Sequence, residues 1–256
     1  MTMIERKVAL VTGAGRRIGR ALALDLAAHG WSVAVHYFSS KGEADEVVAE
    51  CGRLGVRAIA VQANLARESE VDDLVPEVAE RLGALTLLVN NASVFERDEA
   101  NDATRQSWDL HMEVNLRAPF TLSQAFVRQL PQGRSGLIMN ILDQRVWNLT
   151  PHFLSYTLSK SALWTLTRTL AMAFAPDVRV NAIGPGPTLR NDRQSEEHFK
   201  AQWNAVLLKR PTAAADICAA LRFFIDSPSV TGQMLALDGG EHLGWAQPSR
   251  GFTPTE

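Results

Sequence analysis

Short apolar, often β-branched runs alternate with longer stretches of helical periodicity along the whole chain. The runs Val8–Val11, Trp31–Tyr37, Ala58–Gln62, Leu85–Val89, Leu137–Leu142, Val178–Ile183 and Gln233–Leu237 predict strands. The second is apolar enough to lie centrally in a parallel sheet. Helices are predicted from Ile18 to near Gly30, and over Glu43–Leu54, Ser69–Leu82, Thr104–Leu130, Phe153–Phe174 and Ala213–Ile225. Pro119 should kink the long 104–130 helix or open its hydrogen-bond ladder. Pro176 stops the next one. Strict strand–helix alternation predicts an α/β fold: one doubly wound parallel sheet with helices on both faces, a single domain over residues 1–256. The polar stretch 188–210, which carries Trp203, reads as a flap beside a cleft. Residues 244–256 read as a loose tail.

Nearly half of the 256 residues are apolar, enough for a sizeable core. The net charge of −2 is spread without a basic run, which argues against a nucleic-acid partner. Cys51 and Cys218 offer neither metal spacing nor a disulfide framework, so no metal is expected and a reduced, cytoplasmic setting fits. The first apolar run is too short for a signal peptide, and no later one approaches a membrane span.

The first strand runs into Thr12-Gly13-Ala14-Gly15-Arg16-Arg17-Ile18-Gly19 and then a helix. Strand, glycine-rich turn and helix together form the setting of a dinucleotide site: small residues admit a pyrophosphate, and the helix N-terminus adds N–H donors. A glycine-rich turn alone more often only makes a turn. At the end of the second strand stand His36, Tyr37, Phe38, Ser39 and Ser40, where an adenosine ribose is read. No acidic residue is there to select a free ribose hydroxyl. Arg16, Arg17 and the two serines suit a phosphate, so NADPH is expected. The plainer alternative makes His36 structural and the serines helix caps. Asn64-Leu65 end the third strand. Asn90-Asn91-Ala92-Ser93 end the fourth, where asparagines either make a turn or line the cleft.

The stretch Asp143–Lys160 concentrates the candidate chemistry. Tyr156 and Lys160 share a helix face four residues apart. An ammonium beside a phenol lowers the phenol's pKa from about 10 and makes it a general acid or base. The pair alone is common and carries little. Asp143 lies at the C-terminal end of the fifth strand, the edge where open parallel sheets bind ligands, although a loop aspartate is unremarkable there. Asn115, a poor helix former among apolar residues, calls for packing partners or a water. Phe95 reads as core or as a loop aromatic.

Together TGAGRRIG at 12–19, NNAS at 90–93, Asn115, Tyr156-Thr157-Leu158-Ser159-Lys160, GPGP at 184–187 and DGG at 238–240 resemble the short-chain dehydrogenase/reductase family over nearly the whole length. That resemblance implies a Rossmann fold and a homotetramer built partly on the 153–174 helix. It makes Tyr156 the proton donor or acceptor. Lys160 holds the nicotinamide ribose and lowers the Tyr156 pKa, and Asn115 holds a relay water. It places the cofactor against Gly13, Arg16, Arg17, Ile18, Gly19, His36, Tyr37, Ser39, Ser40, Asn64, Leu65, Asn91, Ala92, Ser93, Tyr156, Lys160, Pro185, Gly186 and Thr188. Two departures stand out. Arg17 replaces a usual glycine, and Asp143 replaces a usual serine. Both, with NNAS, Phe95 and the HY…SS stretch, resemble the pteridine reductase branch. What this implies is a pterin between the nicotinamide and Phe95, with Arg17, Ser93, Asp143, Tyr156 and Pro187 around it. Asn64 stands where that branch commonly has an aspartate facing adenine. The competing expectations are a reductase of another carbonyl or imine, such as a 3-oxoacyl thioester or a sugar, and a non-catalytic NADP(H)-binding regulator.

Overall fold

The computed structural model describes residues 7–189 and 195–244. The tail assigned to 244–256 therefore lies outside the described residues beyond Gly244, as does the 190–194 part of the flap.

Seven strands form one wholly parallel sheet: β1 (Val8–Val11), β2 (Ser32–Tyr37), β3 (Ala58–Gln62), β4 (Leu87–Asn90), β5 (Gly136–Ile141), β6 (Val178–Pro185) and β7 (Met234–Leu237). Their order is β3-β2-β1-β4-β5-β6-β7. Both faces are covered, which explains why β1 is apolar at every position. Its Ala9 and Val11 face one core, with α1 (Arg17–Ala28), α2 (Lys41–Arg53) and α8 (Ala214–Asp226). Its Val8 and Leu10 face the other, with α3 (Glu68–Leu82), α5 (Ala118–Gln129) and α6 (Leu154–Ala173). The chain leaves β1 toward β2 and leaves β4 toward β5, so the order reverses between β1 and β4. A crevice opens there at the C-terminal strand ends.

The long 104–130 helix is not one helix. It is α4 (Arg105–Met112), a π-helical turn at Glu113–Arg117, and α5. Pro119 sits in the first turn of α5, where its missing N–H costs little. The same missing N–H cannot bond the Asn115 carbonyl four residues back, so the ladder re-forms with wider bonds at Asn115, as at many functional sites. The flap contains α7 (Glu196–Ala205), capped by the Ser195 side chain. Among the described residues no helix is long and apolar enough to cross a membrane, and no cluster could hold a metal ion.

Candidate active site

The glycine-rich turn is held from below. Gly13 has φ +62°, and a Cβ on Gly19 would lie 2.2 Å from the Gly13 carbonyl oxygen. Only glycine lets α1 start this close to β1. Arg17 adopts φ 53°, so the arginine occupies a left-handed position that suits the glycine it replaces. The Asn91 side-chain amide donates to the Thr12 carbonyl at 2.8 Å, and the Thr12 hydroxyl accepts from the Asn91 and Ala92 N–H groups. The end of β4 is thereby sewn to the turn after β1.

This builds a cleft of about 470 Å3, within the range of small-molecule sites. Gly13, Arg16, Arg17, Ile18, Gly19, Tyr37, Ser39, Ser40, Asn64, Leu65, Asn91, Ala92 and Ser93 all line it, with His36 at its base. A glycine-rich turn at a helix N-terminus beside two exposed arginines and two serines fits a phosphorylated dinucleotide.

Four residues of the cleft are engaged differently from expectation. His36 is fully buried: its Nδ1 accepts from the Gly13 N–H at 3.0 Å, and its Nε2 donates to the Ala63 carbonyl at 3.1 Å. Burial pulls its pKa down to about 4 against that backbone bond. It therefore shapes the turn, and both its ring nitrogens are engaged with protein. Ser40 precedes α2 without a side-chain cap bond, so the capping alternative does not hold for it. Arg16 pairs with Glu43 through one Nη of a largely exposed guanidinium. Asn64 uses its Oδ1 on the Ala66 N–H at 3.0 Å.

A second group gathers at the ends of β4, β5 and α6. The Tyr156 hydroxyl donates to Asp143 Oδ2 at 2.9 Å, and the Arg145 N–H donates to the other carboxylate oxygen at 2.8 Å. Lys160 is buried and gives Nζ to the Ile141 carbonyl at 2.8 Å. Lys160 was expected to lower the Tyr156 pKa. Instead burial, followed by the Asp143 charge and hydrogen bond, holds the phenol well above 10. The lysine itself is pulled down to about 8 by burial, against the attraction of Asp143.

The Asn115 side chain is saturated. Its Oδ1 accepts from the Val94 N–H at 2.8 Å and the Ser93 hydroxyl at 3.2 Å. Its Nδ2 donates to the Val94 carbonyl at 3.0 Å and Ser159 Oγ at 3.1 Å. The amide thus ties the 93–95 loop to α6, which leaves the side chain no free group for the expected relay water. Phe95 follows this loop. Phe153 stacks on one of its faces, with centroids 4.3 Å apart, and Phe95 meets Tyr156 edge-on at 4.6 Å. Pro185, Gly186, Pro187 and Thr188 stand at the end of β6 and do not line the cleft. The Gly186 N–H bonds the Leu237 carbonyl, and the Pro187 carbonyl accepts from Thr212.

Several residues escaped sequence reasoning. Phe153 has φ 59°, an outlier for a bulky residue. Arg145 packs against Phe95, Phe153 and Tyr156. Glu241, after β7, is pushed up to about 7 by burial and by Asp143 and Asp238. The buried set Asp98, Ser155 and His111 braces the start of α6. Ser155 donates both its N–H and its hydroxyl to Asp98, and His111 Nδ1 lies 2.7 Å from the same hydroxyl. Only Arg145 carried a sequence signal, its place two residues beyond Asp143.

A short chain dehydrogenase family model matches residues 7–200. A 3-oxoacyl-[acyl-carrier-protein] reductase from Staphylococcus epidermidis is 34% identical over 242 residues, covering 93% of this chain and 99% of its own. Among solved structures, the alternative dihydrofolate reductase 1 of Brucella canis, complexed with NADP, is 45% identical, with a TM-score of 0.92 and coverage of 97% and 98%. Its counterpart from Brucella suis, also with NADP, is 46% identical with a TM-score of 0.92, covering 96% and 99%.

Proposed function

The chain belongs to the short chain dehydrogenase family, and on that premise we propose that it is an NADPH-dependent reductase of dihydropterins. The Asp143 carboxyl, 2.9 Å from the Tyr156 hydroxyl, carries the reading. An ionised carboxylate beside a carbonyl under reduction offers no hydrogen bond and repels the growing negative charge. A carboxyl beside a ring nitrogen does useful work in both states: ionised, it accepts from an N–H; protonated, it delivers a proton. The likeness to the two Brucella dihydrofolate reductases supports the same reading.

In this reading the glycine-rich turn, Ser39, Ser40 and Arg17 hold the phosphates, and Lys160 holds the nicotinamide ribose. Bound NADPH supplies the hydride. Asp143 passes a proton to the ring nitrogen and recovers one from Tyr156. Lys160 and the Asn115 backbone carbonyl connect Tyr156 to solvent. Phe95 offers the substrate the ring face that Phe153 does not cover. The chain works as an oligomer, proposed as a homotetramer. Leu158 and Met172 on the α6 surface are 40% and 74% exposed and suit burial against another copy. A monomer by light scattering would remove that part.

A second reading is favoured by the Staphylococcus relative: reduction of a 3-oxoacyl thioester. Following NADPH absorbance with dihydrobiopterin, dihydromonapterin, dihydrofolate and an acetoacetyl thioester separates the two. Turnover of a dihydropterin is expected. Activity confined to the thioester sinks the pterin reading.

A further inference from the structure

Arg145 lies on the 3-10 turn Gln144–Val146, just beyond Asp143. Its guanidinium carbon is 5.7 Å from the Phe95 ring centre, 5.2 Å from that of Phe153 and 5.9 Å from that of Tyr156. Three aromatic rings therefore enclose one cation, and two of them belong to the proposed substrate site. The left-handed backbone of Phe153 brings its ring into this group. Ring faces stabilise the charge but leave the in-plane N–H groups unserved. Arg145 Nε and Nη1 are shut off from solvent and have no hydrogen-bond partner. Among the described residues no carboxylate forms an ion pair with the guanidinium. Leaving buried charged donors unmade is expensive, and native proteins keep few such groups.

The neighbouring groups define what these donors meet. Asp143 and Glu241 supply carboxyl acceptors at this end of the sheet. The Glu241 carboxyl lies against Gly186, where a Cβ would be 3.1 Å from Oε2. Of the other cations, Arg97 lies 6.0 Å from the Phe153 ring centre and Lys160 5.9 Å from that of Tyr156, while Arg17 gives Nη2 to the Leu189 carbonyl at 2.8 Å. The charge of Arg145 reaches both Tyr156 and Glu241, opposing the rise in their pKa values. A 2-amino-4-oxo pyrimidine edge carries N–H donors next to one oxygen acceptor. Carboxylates satisfy the donors, and the oxygen requires a donor from the protein.

We propose that Arg145 is a substrate-binding residue that donates, through its unpaired N–H groups, to an oxygen acceptor on the molecule lying against Phe95. Naming that acceptor as the 4-oxo group rests on the dihydropterin reading; the contact itself does not. Arg145 thereby selects 4-oxo over 4-amino pteridines, because an amino group would face the guanidinium donor to donor.

The test compares wild type with Arg145→Met and Arg145→Lys. For Arg145→Met, a rise in KM for the 4-oxo dihydropterin of about 10- to 100-fold is expected, the effect of losing a hydrogen bond to a charged group. A smaller change in kcat and unchanged NADPH affinity by fluorescence titration should accompany it. Wild type should bind oxidised 4-oxo pterin more tightly than its 4-amino analogue when loaded with NADP, and Arg145→Met should lose that preference. Arg145→Lys should recover part of it. The melting temperature of Arg145→Met should hold or rise, since unmade buried donors are removed, whereas a purely structural clamp on the rings would lower it. An unchanged KM with the 4-oxo preference intact overturns the proposal, as does a fall in melting temperature without a change in KM. If wild type reduces only the acetoacetyl thioester, the pterin reading fails alone. The Arg145 contact then stands if Arg145→Met raises KM for the thioester and falls if it does not.

Discussion

Tyr156 donates its hydroxyl proton to Asp143 Oδ2 across 2.9 Å, the phenol buried and the carboxylate half-buried. That bond reverses the electrostatics expected of a tyrosine one helical turn from a lysine. The lysine amine is turned to the Ile141 carbonyl, while the carboxylate is in direct contact with the phenol. A negative neighbour disfavours phenolate, so burial and Asp143 together keep the proton on Tyr156. The phenol and the carboxylate are joined through that one hydrogen bond and act as a unit.

Replacing Asp143 by Ser or Asn tests that unit. Either change removes the charge that raises the Tyr156 pKa, so the phenol should titrate at lower pH. With dihydropterin, Asp143→Asn should cut kcat/KM by about 10²- to 10⁴-fold, the usual span for losing a general acid or base. Asp143→Ser should lose comparably on dihydropterin yet gain on an acetoacetyl thioester, because a hydroxyl donates to a carbonyl and a carboxylate does not. Steady-state kinetics on both substrates across pH provides the check; a variant equally active on the pterin contradicts the relay.

Lys160 carries a different prediction. Burial brings its pKa down to about 8, so its charge is present below that pH and lost above it. NADPH affinity of the wild type should therefore weaken as pH rises through about 8, where the ammonium stops bonding the ribose. Lys160→Met should bind NADPH more weakly at neutral pH and show no such decline. Fluorescence titration of NADPH over this range decides it, and a wild-type affinity flat across pH 8 would falsify the assigned role.

The strands and most helices were legible because each is a contiguous run with one period, and a parallel sheet covered on both faces leaves little ambiguity in such runs. β3 and β1 begin and end where the pattern placed them. The 104–130 stretch was harder. Its apolar period continues through Asn115, and only the ladder geometry around Pro119 reveals the π turn. In the site, the cleft residues follow from the order of strand, turn and helix. The partners of His36 and Asn115 do not, because their hydrogen bonds go to Gly13, Ala63, Val94 and Ser159, segments remote in sequence, although a structural His36 and a packed Asn115 were among the alternatives. Phe153 was hidden for a related reason: a left-handed phenylalanine leaves no mark in composition or period.

Asn115 connects the loop before Phe95 to α6, and its loss should be felt in stability before chemistry. Asn115→Ala strands the Val94 N–H and carbonyl without their partners, in a part-buried setting. A destabilisation of about 1–3 kcal/mol is expected for buried polar groups left unmade. Because the freed loop leads to Phe95, KM for the substrate should rise as well. Denaturant unfolding of the apoprotein measures the first effect and steady-state kinetics the second. Full stability in Asn115→Ala would show that the loop does not depend on this amide.

Glu241 gives the stability curve its own pH dependence. Burial, Asp143 and Asp238 raise its folded-state pKa to about 7, above the ordinary value of 4.5. The folded chain thus keeps a proton that the unfolded chain has already released in the interval between them. The contribution to stability is complete below pH 4.5 and is lost as pH climbs through 7. Glu241→Gln carries no charge at any pH, so it should melt close to wild type at about pH 4.5 and several degrees higher at about pH 8. Calorimetry of the apoprotein at the two pH values measures the difference. A variant that gains nothing at the higher pH would mean that Glu241 ionises freely, with solvent reaching the carboxyl beside Gly186 and relieving its crowding against Asp143.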